Sequence, residues 1–235
     1  MIGAIVTFVT NIVVGITSNE TDNLLHSLLD VQNEQLTLLR RLDRNVQDLL
    51  EGPYYTASIT LRDATDPWRT SEERLEFLKH ARSLLNQAVG QFKSDHFMKS
   101  LAAASLATVW VLTGSSPDAR RWLGIAHDEA EAALSAALER ESAWRRARGV
   151  AYDYKQLGKW LVTLGGHKMA EAKDISQSRL VPIAQWAAAM REILRKTESA
   201  SLPRLRIVNV DMKYFESSAS LGSFFTPYKS VVYEE

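Results

Sequence analysis

Residues 19–51, NETDNLLHSLLDVQNEQLTLLRRLDRNVQDLLE, carry the clearest periodic pattern in the chain. Leu25, Leu28, Gln32, Gln35, Leu39, Leu42, Val46 and Leu49 alternate between a and d positions over about four heptads. Leu24, Leu29, Leu36, Leu38 and Leu50 widen this seam, so it suits a bundle of more than two helices. The two glutamines interrupt it. A polar side chain at a core position costs stability and fixes register or oligomer number. Either Gln32 and Gln35 specify a pairing in this way, or the true seam lies to one side and both face water. The seam predicts self-association, so the chain is expected to be a homo-oligomer. Gly52-Pro53 ends the helix, with the glycine after the last periodic residue and the proline opening the next element.

Upstream, residues 1–18 read MIGAIVTFVTNIVVGITS and contain no ionisable side chain. The first Lys or Arg is Arg40, so the basic segment that opens a secretory signal is missing. A basic amphipathic surface anchor is excluded for the same reason, since Glu20, Asp22, Asp30 and Glu34 are the only charges before it. Gly3, Thr7, Thr10, Asn11 and Ser18 follow helical spacing and leave Ile2, Ile5, Phe8, Val9, Ile12, Val13 and Ile16 on a broad apolar surface. Two expectations follow. In one, the apolar surface inserts into membrane lipid, with Thr7, Thr10 and Asn11 turned inward between several copies to line a pore or interface. In the other, the segment is a core helix packed on all sides, or fills an oligomer interface.

The rest of the chain reads as helices with marked ends. Tyr54, Ala57, Leu61 and Ala64 form a short apolar stripe stopped by Asp66-Pro67. Thr70-Ser71-Glu72-Glu73 has the form of a capping box, followed by Leu78, Ala81, Leu85, Ala88 and Phe92 at helical steps. Asp95 is placed to cap a helix from His96 to Thr113, and Ser116-Pro117 to start a long one running to about Arg148, with a bend at Gly149. Ala126, Ala130, Ala133 and Ala137 let a neighbour approach that helix closely. A last helix covers roughly Arg179 to Lys196. After Pro203 the pattern turns extended around Leu205–Phe215 and Tyr228–Tyr233. This tail is expected to pair as a β-hairpin, lie along the bundle or dock on a protein partner.

The expected fold is therefore all-α, a multi-helix bundle. It divides into a hydrophobic helix (1–18), a coiled-coil-like helix (19–52), a helical bundle (53–200) and an extended C-terminal tail (201–235). Its layout resembles that of cell-death and pore-forming helical bundles, in organisation alone, and that resemblance implies a hydrophobic N-terminal helix hidden until assembly.

Chemistry is hard to find. There is no Cys among 235 residues, which removes thiolate metal sites and cysteine nucleophiles and fits a reducing cytosol, so the expected location is cytoplasmic with membrane association. The 28 basic and 28 acidic residues cancel, so no global field draws the chain to nucleic acid. No P-loop, GxGxxG, GxSxG or HExxH motif occurs. His127 and Glu131 have helical metal-ligand spacing but sit on a charged face. No metal, cofactor or catalytic residue is expected; an enzyme would need a cleft lined by His80, His96 or Tyr154. The six tryptophans are spread along the helices and linkers, as core packing requires. The function expected is a self-associating, membrane-inserting effector, with a soluble scaffold or adaptor as its rival.

Overall fold

The computed structural model describes residues 2–18, 20–42, 52–153, 181–198, 204–210 and 228–234. The described chain is helical, as composition and periodicity require. It contains α1 (Ile2–Ser18), α2 (Leu24–Leu42), α3 (Pro53–Asp63), α4 (Ser71–Gln91), α5 (His96–Leu112), α6 (Ser116–Asp153) and α7 (Val181–Glu198). Two strands follow, β1 (Arg204–Val210) and β2 (Tyr228–Glu234).

The helix ends are set locally. Gly52 is the N-cap of α3, with Pro53 in its first turn, where the missing N–H costs nothing. Thr70 caps α4 by accepting from the Glu73 amide at 3.2 Å, while Glu73 accepts from the Thr70 amide at 2.9 Å. That completes the capping box, and the backbone hydrogen bond from Thr70 is the main reason the Glu73 carboxyl titrates below its ordinary range. Asp95 caps α5 through the Met98 amide at 3.0 Å. Gly114, at φ 83°, closes α5 in the left-handed region that a side chain resists. The start of α6 lies one residue earlier than expected. Ser115 accepts the first helical hydrogen bond from the Ala119 amide and donates to Asp118 Oδ2 at 2.6 Å, so it rather than Ser116 takes the cap role.

Two compact units divide the chain. The first comprises Met1–Ala133 and Gln185–Leu202, the second Leu134–Ala184 and Pro203–Glu235. In the second, β1 and β2 pair antiparallel from Arg204 opposite Glu234 to Val210 opposite Tyr228.

The first unit is organised around α5. Every residue from Leu101 to Val109 on this helix is buried, on all sides. Ala102, Ala103, Ala104 and Ala107 with Ser100 and Ser105 make the helix slim, so neighbours approach on every flank. α1 and α2 pack against each other and against α5, while α4 packs between α3 and α5. α1 is thus one-sided rather than central. Ile5, Phe8, Val9, Ile12 and Ile16 are buried, whereas Gly3, Val6, Thr7, Thr10, Thr17 and Ser18 face outward. Gly15 marks the tightest approach: a Cβ there would lie 2.8 Å from Val111 Cγ1 and 3.3 Å from Leu24 Cδ2.

Candidate functional site

Side chains far apart in sequence come together where α1, α5, α6 and α7 meet in the first unit. Phe8, fully buried on α1, stacks on Trp186 of α7, with ring centroids 6.1 Å apart and planes 17° from parallel. An indole this deep needs a partner for its N–H. Trp186 Nε1 donates to Ser100 Oγ at 2.8 Å, and Ser100 Oγ donates in turn to the Ala126 carbonyl at 2.6 Å. One serine on α5 therefore ties α7 to α6 and fixes the ring that covers Phe8.

A second polar cluster lies further along α5. Gln32 Nε2 donates to Ser105 Oγ at 2.8 Å, and Ser105 donates to the Leu101 carbonyl at 2.8 Å. Tyr54 of α3 is buried beside both. Burial pushes its hydroxyl far above the ordinary tyrosine range, an effect only partly offset by Ser105 and Gln32. Neither the Tyr54 hydroxyl nor Gln32 Oε1 makes a well-directed hydrogen bond. Gln32 is thus buried rather than facing water, and its partner lies 73 residues away in the same chain.

Two carboxylates on α6 reach across to neighbouring helices. Glu129 Oε1 meets Lys99 Nζ, and Glu129 Oε2 lies 2.7 Å from His96 Nδ1, so the acceptor-only carboxylate puts the proton on that nitrogen. Partial burial pushes the Glu129 pKa up, but the hydrogen bonds from Lys99 and His96 outweigh it and hold the carboxyl below its ordinary value. Glu131 receives a two-pronged contact from Arg191 of α7, Nε to Oε1 and Nη2 to Oε2, the latter at 2.6 Å. His127 Nε2 stands 3.8 Å from the same carboxylate and its Nδ1 3.1 Å from Asp128. The spacing that suited a metal ligand pair is thus already served by a guanidinium. No group of three or more metal-ligating side chains occurs among the described residues.

The residues singled out by sequence fall as follows. Of the apolar set, Ile5, Phe8, Val9, Ile12 and Ile16 are buried in the first unit and Val13 is half-buried, while the side chain of Ile2 lies outside the description. Thr7 and Thr10 face outward, with Thr10 donating to the Val6 carbonyl at 3.0 Å, and Asn11 donates to the Asn23 carbonyl at 3.2 Å. Leu25, Leu28 and Gln32 are buried within the unit. Gln35, Leu39 and Leu42 lie on α2 with side chains outside the description, and Val46, Leu49 and Tyr154 lie outside the described residues. His80 is exposed and His96 half-buried. Of the tryptophans, Trp68 departs from the core role expected of it: it is 91% exposed on the α3–α4 turn. Its amide is held by Asp66 Oδ1 at 3.0 Å, and the next residue, Arg69, stacks on Phe77.

Sequence reading did not join Trp186, Ser100 and Arg191 to their partners, because those lie 26–86 residues away along the chain. No helix among the described residues is long and apolar enough to cross a membrane. No protein family, curated protein or solved structure matches the chain.

Proposed function

We propose that the protein is a helical-bundle assembly module, a scaffold or adaptor, in which α1 is a permanent part of the core. One observation carries this reading: five apolar side chains of α1 are buried in the first unit, with Phe8 stacked beneath a hydrogen-bonded Trp186. Burying five such side chains contributes about 7–15 kcal/mol as an upper bound. That is as large as the net stability of a typical domain, roughly 5–15 kcal/mol, so α1 cannot be withdrawn cheaply. Length points the same way. At about 1.5 Å per residue, the 17 residues of α1 reach roughly 25 Å, short of a hydrocarbon core of about 30 Å.

Self-association belongs to this reading through the later part of the heptad seam. Leu25, Leu28 and Gln32 are buried inside the first unit, so the pairing between copies proposed here falls to Gln35, Leu39, Leu42, Val46 and Leu49. The β1–β2 tail is proposed as a further docking element for a protein partner. A cysteine-free chain of this kind fits the cytoplasm.

A second reading, a membrane-inserting effector that stores α1 in its core, is favoured by the lack of any ionisable side chain along α1 and by Val6, 58% exposed on its outer face. Flotation of the intact chain with phosphatidylcholine–phosphatidylglycerol vesicles, with dye release from the same vesicles, separates the two. The module reading expects the protein to stay at the bottom of the gradient with the dye retained. Co-flotation with leakage, abolished by Val9→Glu in a variant that still folds, would reject it in favour of insertion.

A further inference from the structure

We infer that the outer face of the α1–α2 pair docks an amphipathic helix of a partner protein, apolar on one side and bearing Lys or Arg along its edge. The inference deepens the assembly reading, on which it rests for keeping α1 in the core, by giving the module's partner a chemistry.

The placement of the two helices makes the face. α1 and α2 pack against each other and both pack against α5, so the sides they turn away from α5 share one outer surface. On α1 that side carries Gly3, Val6, Thr7, Thr10 and Thr17. The exposed side of a helix in a globular protein is ordinarily lined with charge. This one has none along 17 residues, in a chain of which 24% is charged. Two of its hydroxyls are spent on the helix itself: Thr10 donates to the Val6 carbonyl at 3.0 Å and Thr17 to the Val13 carbonyl at 2.8 Å. Val6 stands 58% exposed among them. At Gly3 even an added Cβ would meet nothing within 4 Å, so another helix can approach closely there.

The border of this strip decides the partner. His26, Asp30 and Asn33 are exposed at helical steps on α2, and Glu20 and Asp22 are exposed in the turn before it. Among the described residues, none of Glu20, Asp22 and Asp30 is in an ion pair. No Lys or Arg precedes Arg40. An uncharged strip bordered by three unpaired carboxylates disfavours two occupants. A second copy laid symmetrically across the face would set like charges against each other. An anionic bilayer would be repelled, with no cation there to meet its headgroups. A basic amphipathic helix suits both parts at once, its apolar side on Val6 and the threonines and its cations against Glu20, Asp22 and Asp30.

The probe is a fluorescently labelled helical peptide with leucines on one side and lysines on the other, titrated with the full chain and followed by anisotropy. A twin peptide carries glutamate in place of lysine. The lysine peptide is expected to bind and to weaken as salt is raised, with the glutamate twin at least about tenfold weaker. Asp22→Lys with Asp30→Lys should weaken the lysine peptide on the order of tenfold. Val6→Lys, which sets a charge in the apolar strip, should weaken it by a similar factor, and Glu76→Lys on α4 should leave it unchanged. All four positions are exposed, so the variants keep the fold, as circular dichroism will check. No binding, equal binding of both peptides, or equal weakening by Glu76→Lys would overturn the inference. So would a mass by light scattering that falls in the Asp22/Asp30 variant, which makes a second copy the occupant, or flotation with phosphatidylcholine–phosphatidylglycerol vesicles, which makes it a lipid surface. A peptide that fails to bind while the vesicles keep their dye overturns this inference alone and leaves the assembly reading standing.

Discussion

Phe8 is the residue on which the packing of α1 turns. Its ring is fully buried and faces Trp186 at 6.1 Å, so truncation leaves a cavity lined by an indole that cannot collapse inward without breaking its bond to Ser100. Phe8→Ala is expected to cost about 3–5 kcal/mol, read as a fall in the midpoint of urea unfolding at constant slope. Gly15→Ala tests the same contact by the opposite means. In an open helix the change stabilises by up to about 1 kcal/mol, but here the added methyl meets Val111 and Leu24 within van der Waals distance. Overpacking of this sort costs roughly 1–3 kcal/mol, so a lowered thermal midpoint is expected; a raised one would show that α1 and α5 sit further apart than described.

At the scale of single elements, much of the chain could be read in advance, because capping and periodicity are local. The Thr70–Glu73 box, the Asp95 cap and the Gly52-Pro53 boundary all follow from neighbours within three or four residues. Thr70→Ala should therefore lower stability by about 1 kcal/mol without altering the rest of the fold, as measured by chemical denaturation. What periodicity could not reveal was which helix lies at the centre. The uncharged run of α1 suggested it, but the alanine-rich α5 is the helix buried on every side. Total hydrophobicity identifies burial, whereas small side chains decide how many neighbours fit. Gln32 shows the same limit. Its heptad position was legible; its partner, Ser105, was not, since nothing local ties two residues 73 apart. The long-range ion pairs are of this kind too. Glu129 is held below its ordinary pKa in the folded chain, so its contacts with Lys99 and His96 contribute fully above about pH 4.5 and fade as pH falls through the depressed value. Glu129→Gln is expected to flatten this acid limb of the stability–pH curve, with a smaller difference from the parent protein at low pH than at neutrality.

At the scale of the whole molecule, the described chain is mainly helical, and Phe8 of its N-terminal helix stacks on Trp186 of α7, which supports the proposal that α1 is a structural member. If, as proposed, copies pair through the end of the predicted heptad seam, Val46→Glu with Leu49→Glu shifts the mass measured by light scattering toward the monomer while leaving helix content unchanged. Trp68, exposed on the α3–α4 turn with its amide held by Asp66, is expected to tolerate Trp68→Ala within about 0.5 kcal/mol of the parent stability. The expectations for Phe8 and Gly15 depend on α1 belonging to the core. The most direct test is thermal unfolding, followed by circular dichroism at 222 nm, of the chain lacking residues 1–18 beside the intact protein. The shortened chain is expected to lose its cooperative transition, or to melt far lower, with helix lost well beyond the 17 residues of α1. An unchanged midpoint, with signal reduced only by the deleted helix, would contradict it.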